Sequence, residues 1–213
     1  RSANVVFQHS EFLKQVGEGS GVHRAALAFF KTLPPFLDLG GVRVVHAWWH
    51  QPYVDLIEQH LYKGSWMTDE FLETAFTPKT PECQAMKGLL TGLNVKLPEG
   101  ARFFDDFGHP RDRLRLKWWS QDRRHYRDVL MPPSGLWVNP EKLDREVPLD
   151  QWPGQGDPQP KPVFLGHYWM KGDPAALTPT VACLDYSVAR GGPLVAYRWD
   201  GEATIQNDRF VFV

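Results

Sequence analysis

Cysteine is nearly absent from the 213-residue chain: only Cys83 and Cys183 occur, a hundred positions apart and with no Cys-x-x-Cys pair. That spacing excludes a disulfide framework and a cysteine-rich zinc site, and it points to a reducing, cytoplasmic setting. Long apolar runs are missing as well. The longest, such as residues 25–30, fall far short of the roughly 20 residues a membrane-spanning helix needs, so no membrane partner is expected. Neither sign of charge dominates, because 24 Lys and Arg stand against 25 Asp and Glu for a formal charge of -1. An overall pull toward nucleic acid or anionic lipid is therefore not expected. No basic-then-apolar leader follows Arg1, so no signal peptide is read, and the gene product is expected to begin upstream.

What is present is ordinary globular material, with 42% hydrophobic and 23% charged residues, plus a heavy aromatic content that includes nine tryptophans. The length suits one domain, taken as residues 1–213. Residues 10–16 read as a helix stopped by Gly17, and residues 21–33 as a second, apolar-rich helix ended by Pro34 and Pro35. The intervening Gly17-Glu18-Gly19-Ser20-Gly21 lacks a following Lys-Ser/Thr and a preceding strand, so it is a turn between helices and not a phosphate loop. Residues 36–39 and 42–47, joined by Gly40-Gly41, suggest two strands around a tight turn. Helical spacing returns at 52–62 and 68–76, and Thr80-Pro81-Glu82 supplies a cap, a proline at the first position and an acid in the first turn of a further helix ending near Gly88 or Gly92.

Residues 102–104 and 114–119 read as extended segments around the turn at 105–108. Eight of the eighteen prolines fall between 132 and 162, which predicts a long surface loop or cap there. Beyond it, residues 163–165, 181–184 and 194–199 read as buried strands. Asp200-Gly201 predicts a hairpin turn that sets 203–205 against the strand ending at Trp199, with 209–213 as an added edge. Helices first and strands last, with one strand pair among the early helices, indicate a mixed α/β layer fold.

Two segments run from an apolar strand directly into a histidine: Val42-Arg43-Val44-Val45-His46 and Val163-Phe164-Leu165-Gly166-His167. Ligands bind beyond the carboxyl ends of strands in open α/β sheets, and Gly166 would let the backbone approach a ligand closely. Two neutral imidazoles from distant strands could supply half the shell of a divalent first-row metal; the same spacing also suits two hydrogen-bonded histidines at the edge of the core. His23, His60 and His125 read as packing or solvated residues, His109 sits in a turn, and His50 has no spacing argument. The run 111–127 interleaves Arg111, Arg113, Arg115, Arg123, Arg124 and Arg127 with Trp118, Trp119 and Tyr126. Arginine among aromatics could hold a phosphate or stack a base, although the acids Asp112, Asp122 and Asp128 make an amphipathic surface segment the simpler reading and nucleic acid an unexpected partner.

Taken in order, Val44-Val45-His46-Ala47 after a Leu-Pro turn, then Gly166-His167, then Ala182 to Gly192 with Leu194 to Gly201, the chain resembles the C-terminal half of calcineurin-like metallophosphoesterases. The resemblance is to bacterial relatives of the phosphoprotein phosphatase and diadenosine tetraphosphate hydrolase group, and it covers most of the chain. It implies an α/β fold with a mixed β-sheet sandwich flanked by helices and a dinuclear metal centre at strand ends, manganese first, with iron, zinc or magnesium as alternatives. His46 and His167 match the two late histidine ligands, which in that family hold the same metal. Asp185 matches a position near the centre that supports a ligand without binding the metal. A phosphate-contacting arginine follows a Trp-Ser segment like Trp119-Ser120, which makes Arg123, Arg124 or Arg127 the expected residue.

The departure from that pattern is as informative. Family members begin with Asp-x-His, Gly-Asp-x-x-Asp-Arg-Gly and Gly-Asn-His-Glu motifs, and none occurs in residues 1–213. These supply the first metal site, the bridging aspartate and the histidine acid, so the N-terminal half of the domain is expected in a preceding segment or a second chain, and the fragment alone is expected to be inactive. The expected function is hydrolysis of a phosphate ester, on a phosphoprotein or a dinucleoside polyphosphate-like substrate. The alternative is a non-catalytic binding or regulatory subunit with a Trp-rich interaction surface.

Overall fold

The computed structural model describes residues 9–62, 66–105, 108–120, 125–131, 136–148, 151 and 159–213. The fold is mixed α/β, with several small sheets and, among the described residues, six α-helices. None of these helices is long and apolar enough to cross a membrane.

Local chemistry sets the helix bounds. Helix α1 (Ser10–Val16) stops where Gly17 turns to φ 71°. Helix α2 (Gly21–Lys31) starts at Ser20, whose hydroxyl accepts from the His23 amide at 3.0 Å. It ends at Lys31, two residues earlier than the prolines suggest, with Thr32 as its C-cap. Helix α3 (Gln51–Glu58) is shorter than expected. The chain leaves it for β3 (Leu61–Tyr62), which pairs with β4 (Trp66–Met67). Helices α4 (Asp69–Phe76) and α5 (Pro81–Thr91) are capped by Thr68 and Thr80, each accepting from an amide three residues on at 3.1 Å. Helix α6 (Tyr126–Val129) is a single turn.

The principal sheet has four strands in the order β1 (Phe36–Asp38), β2 (Arg43–Val45), β10 (Val163–Leu165) and β11 (Val181–Cys183). β1 and β2 form the expected antiparallel pair, whereas β2, β10 and β11 run parallel. Strand alternation divides their side chains between two cores. Val45, Val163, Leu165, Val181 and Cys183 pack with Ile57 of α3, Phe71 of α4 and Leu89 of α5, along with Trp48, Trp118 and Trp119. Phe164 and Ala182 point the other way, against Val195, Ile205 and Phe210. Among the described residues that second layer does not extend over β1 and β2, where the cross-strand partners Leu37 and Val44 remain 40% and 37% exposed.

Two readings of the sequence are corrected and one is refined. The segment at 203–205 does not pair with the strand before Asp200. β12 (Val195–Tyr197) pairs directly with β13 (Phe210–Phe212). Glu202 prevents the tight hairpin, since its carbonyl accepts from Trp199 Nε1 at 3.0 Å and its carboxylate from Tyr197 OH at 2.7 Å. The segments at 102–104 and 114–119 each contain a strand, the second beginning at Arg113 and ending at Arg115. β6 (Arg102–Phe104) lies between β7 (Pro110–Arg111) and β9 (Trp137–Val138), while β8 (Arg113–Arg115) pairs with β5 (Asn94–Lys96). The proline-rich stretch is also more than a surface loop. Among its described residues β9 joins a sheet, Pro140–Leu143 forms a 3-10 turn, and Leu143 and Val147 are buried with Val95, Leu116 and Val129 in a further cluster. Pro140 is tolerated there because it opens a helical turn, where its missing donor is not needed.

Candidate functional site

The parallel register carries the two strand-end histidines to one rim. Phe164 lies opposite Val44, so continuing both strands by two residues sets Gly166 beside His46, and the Gly166 amide donates to the His46 carbonyl at 3.0 Å. The imidazole centroids are 5.0 Å apart and inclined at 47°. Metal–nitrogen bonds are about 2.0–2.1 Å, so one ion bound by a nitrogen of each ring would hold the rings at about this separation.

The half-buried ring of His167 is prepared as a neutral donor. Nε2 is buried and has no hydrogen-bond partner, which leaves Nδ1 to make the ring's bond to the Thr91 carbonyl. A proton fixed on Nδ1 puts the lone pair on Nε2, the arrangement by which an outer hydrogen bond orients a metal-binding imidazole. Burial brings the His167 pKa down to about 4, with the charges of Arg115 and His46 adding to the fall, while Asp185 and the Thr91 bond oppose it. His46 is also lowered, first by the protein packed around its ring and then by Arg115, against the opposing pull of Asp185. Both rings are uncharged at neutral pH.

Asp185 stands where the register predicts, two residues past the Cys183 that pairs with Leu165. Its Oδ1 accepts from the Ser187 amide at 3.0 Å and its carbonyl from the Met170 amide at 2.8 Å, so it ties the loop after β11 to the loop after β10. Its charge reaches both imidazoles and Arg115. Cys183 is close by, but burial pushes its thiol up to about 11, and its Sγ lies 3.6 Å from the Gly166 carbonyl. It is therefore a packing residue and not a thiolate ligand. Gly166 is not demanded by the protein itself, since an added Cβ would stand 3.7 Å from both Asp185 Cβ and the His46 carbonyl, ordinary contact distances.

The arginine beside the imidazoles is Arg115, which the sequence reading did not single out from its run. It sits at the end of β8, and Nη1 donates to the His167 carbonyl at 2.9 Å. Its guanidinium carbon lies 5.2 Å from the centroid of the Tyr168 ring, and Nε is buried without a hydrogen-bond partner. No spacing rule reveals this, because β8 and the loop after β10 are fifty residues apart in sequence and meet only in the fold. Arg127 is occupied elsewhere: its 58% exposed side chain donates through Nε and Nη2 to Asp144 at 2.6 and 2.9 Å. Arg123 and Arg124 lie outside the described residues. The remaining histidines have other neighbours. His23 accepts from the Gly19 amide, His50 stacks on Trp48 at 4.4 Å, His60 stacks on Phe71 at 5.4 Å, and His109 and His125 lie near Asp105 and Asp128.

Backbone strain gathers at the same rim. Of the described non-glycine residues at positive φ, His167 (67°), Trp169 (50°) and Ser187 (63°) belong to the two loops that carry His167 and Asp185. Each such residue costs about 1–3 kcal/mol and persists only where the surroundings enforce it. The site thus offers two neutral imidazoles, one fixed by a backbone carbonyl, and a half-buried cation with an unpartnered N–H. These residues fit a divalent metal as half of its shell; among the described residues, no group of three or more His, Cys, Asp or Glu converges to complete one.

Comparison of the chain with protein-family models, with curated proteins and with solved structures returned no match.

Proposed function

We propose that the chain is the C-terminal part of a calcineurin-like metallophosphoesterase, and that the whole enzyme hydrolyses a phosphate ester with the help of two divalent metal ions, manganese first. The observation that carries this reading is the 5.0 Å pairing of His46 and His167, with a buried, unpartnered Nε2, beside Arg115. When bound, the ion pair supplies Lewis acidity and a water acidic enough to attack phosphorus at neutral pH. The chain's own residues bind, orient and neutralise. His46 and His167 give neutral nitrogen to one ion, Thr91 holds the His167 tautomer, and Asp185 locks the two loops in place. Arg115 offers its free Nε–H to a phosphoryl oxygen, where a planar cation in a site screened from water binds most strongly.

The carboxylates that complete the shell belong, on this reading, to a preceding segment or a second chain. A two-sheet sandwich is part of the same proposal. The β12–β13 hairpin already covers half of the outer face of the principal sheet, and Leu37 and Val44 leave room for further strands on the other half. Cys83 and Cys183, both free and buried, suit a reducing, cytoplasmic setting. The alternative, a binding subunit with a Trp-rich surface, is weakened because Trp48, Trp49, Trp118 and Trp119 are buried in the core.

The test is metal analysis and phosphate release on the longest natural product. Manganese bound in stoichiometric amount and phosphate released are expected, with residues 1–213 alone inactive. His46→Ala and His167→Ala should each lower metal content and activity together. Unchanged manganese occupancy in both variants removes them from the ligand list and takes the reading with them.

A further inference from the structure

Helix α2 turns its charges inward and an apolar side outward. At 3.6 residues per turn, Arg24, Leu27, Ala28 and Lys31 fall on one face, and that face lines a cavity against Met67 of β4 and Asp69 of α4. Lys31 Nζ donates to Asp69 Oδ1 and Arg24 Nη1 to the Gly19 carbonyl, so both cations are held on the protein side. A second flank packs on α1, where the Phe12 ring lies 6.0 Å from His23 and 6.2 Å from Phe30, centroid to centroid. The remaining side carries Val22, Ala25, Ala26, Phe29 and Leu33, all apolar. Leu33 keeps that alignment past the helix end because its amide donates to the Phe30 carbonyl at 3.1 Å. Val22, Phe29 and Leu33 are 63%, 59% and 45% exposed, whereas His23 is the only buried residue of the helix.

An ordinary surface helix is arranged the other way, with its apolar stripe toward the core and its charges in water. The outward side of α2 therefore marks a contact surface. Val22, Ala26, Phe29 and Leu33 follow one another at intervals of four, three and four residues, the spacing of a coiled-coil seam. The stripe is also complementary to itself. Laid antiparallel on a copy of itself about a two-fold axis between positions 27 and 28, it sets Val22 opposite Leu33 and Phe29 opposite Ala26, so that the large ring meets the small side chain and the layers interdigitate. Like charges do not meet across this seam, because Arg24 and Lys31 stay on the inner face. Their inward placement also argues against an anionic lipid surface, which is drawn to basic side chains that reach the headgroups.

We propose that the stripe formed by Val22, Ala26, Phe29 and Leu33 is the interface of a weak homodimer, in which α2 pairs antiparallel with α2 of a second copy. The helix is only about 16 Å long, so the contact is small and belongs to the transient end of interface sizes. The pairing is independent of the phosphoesterase reading, since it uses none of the residues around His46 and His167.

Sedimentation velocity of the full-length protein tests it over concentrations from about 1 to about 200 µM, where a transient pair assembles. A monomer–dimer equilibrium with its midpoint on the order of 10–100 µM is expected. Phe29→Glu, which puts a charge on the seam, should raise the midpoint about tenfold or more, with circular dichroism confirming the fold. If Phe29→Glu does not fold, Phe29→Ser, which removes the ring, should raise it in the same direction. Oxidation reads the orientation: Val22→Cys protein mixed with Leu33→Cys protein should form a cross-linked dimer, while each alone should cross-link no more than the wild type, whose Cys83 and Cys183 are buried. A monomer at every concentration, as when another segment of the chain covers the stripe, overturns the proposal. So does a dimer whose midpoint the Phe29 substitutions leave unchanged, and so does cross-linking of either cysteine variant with itself, which requires a parallel pair.

Discussion

Arg115 Nη1 donates to the carbonyl of His167 at 2.9 Å, so the cation is tied to the backbone of the residue whose ring it helps to keep neutral. A structural hydrogen bond and an electrostatic effect thus share one side chain, and they can be separated by substitution.

Arg115→Met removes the charge from the vicinity of both imidazoles. In metal-free protein the His167 pKa should rise from about 4 toward the ordinary histidine value, and the His46 pKa should rise as well, because Arg115 lowers each. Arg115→Lys should leave them low. Nuclear magnetic resonance titration of the imidazole carbon-bound protons reads both, and identical titration curves for the wild type and Arg115→Met would remove the electrostatic role.

The low pKa of His167 also makes stability depend on pH. Between about 4 and 6.5 the unfolded chain binds a proton at this residue that the folded chain does not. The contribution of the neutral buried ring is therefore fully present above about 6.5 and is lost as pH falls toward 4. Thermal melts of metal-free protein should show Tm falling across that window, and His167→Gln, which cannot titrate, should flatten the slope. His46 acts in the same direction, so some slope remains. A variant slope as steep as that of the wild type would contradict the assignment.

Two glycines at the rim should behave oppositely. Gly192→Ala drives a Cβ to 1.7 Å from the Tyr186 carbonyl, a backbone atom that cannot swing aside. It should destabilise by about 3 kcal/mol or abolish folding, at or beyond the usual range for overpacking. Gly166→Ala meets only ordinary contacts at 3.7 Å and should change stability by less than about 1 kcal/mol. Urea denaturation of the pair checks this, and equal costs would mean that the loop after β11 is placed wrongly.

Adjacent valines test the register of β2. Val45 is 3% exposed and packs in the helix-side core, while Val44 faces outward beside Leu37. Val45→Thr buries a hydroxyl without a partner and should cost about 1–3 kcal/mol, whereas Val44→Thr should fall within about 0.5 kcal/mol. A one-residue slip would exchange the two results.

The helices were legible because their signals are local. Gly17, Thr80 with Pro81, and Gly92 each act on amides or carbonyls within one turn, while the caps Ser20 and Thr68 were seen only in the structure. The hairpin predicted at Asp200-Gly201 was lost because Glu202 competes for the strand through Tyr197 and Trp199, a choice that turn propensity does not register. In the site, His46 and His167 stood out because each ends an apolar strand. Arg115 did not stand out, since nothing in its own neighbourhood distinguishes it from Arg111, Arg113 or Arg127.

The sequence by itself determined where strands end in histidine and where caps open and close helices, because capping, alternation and backbone preference act over a few residues. Only the tertiary structure decided that β2 and β10 lie parallel and adjacent, which makes one site of residues more than a hundred positions apart and lets a guanidinium from β8 face it. That choice depends on which apolar faces bury each other, a property of the whole packed chain that no short segment carries.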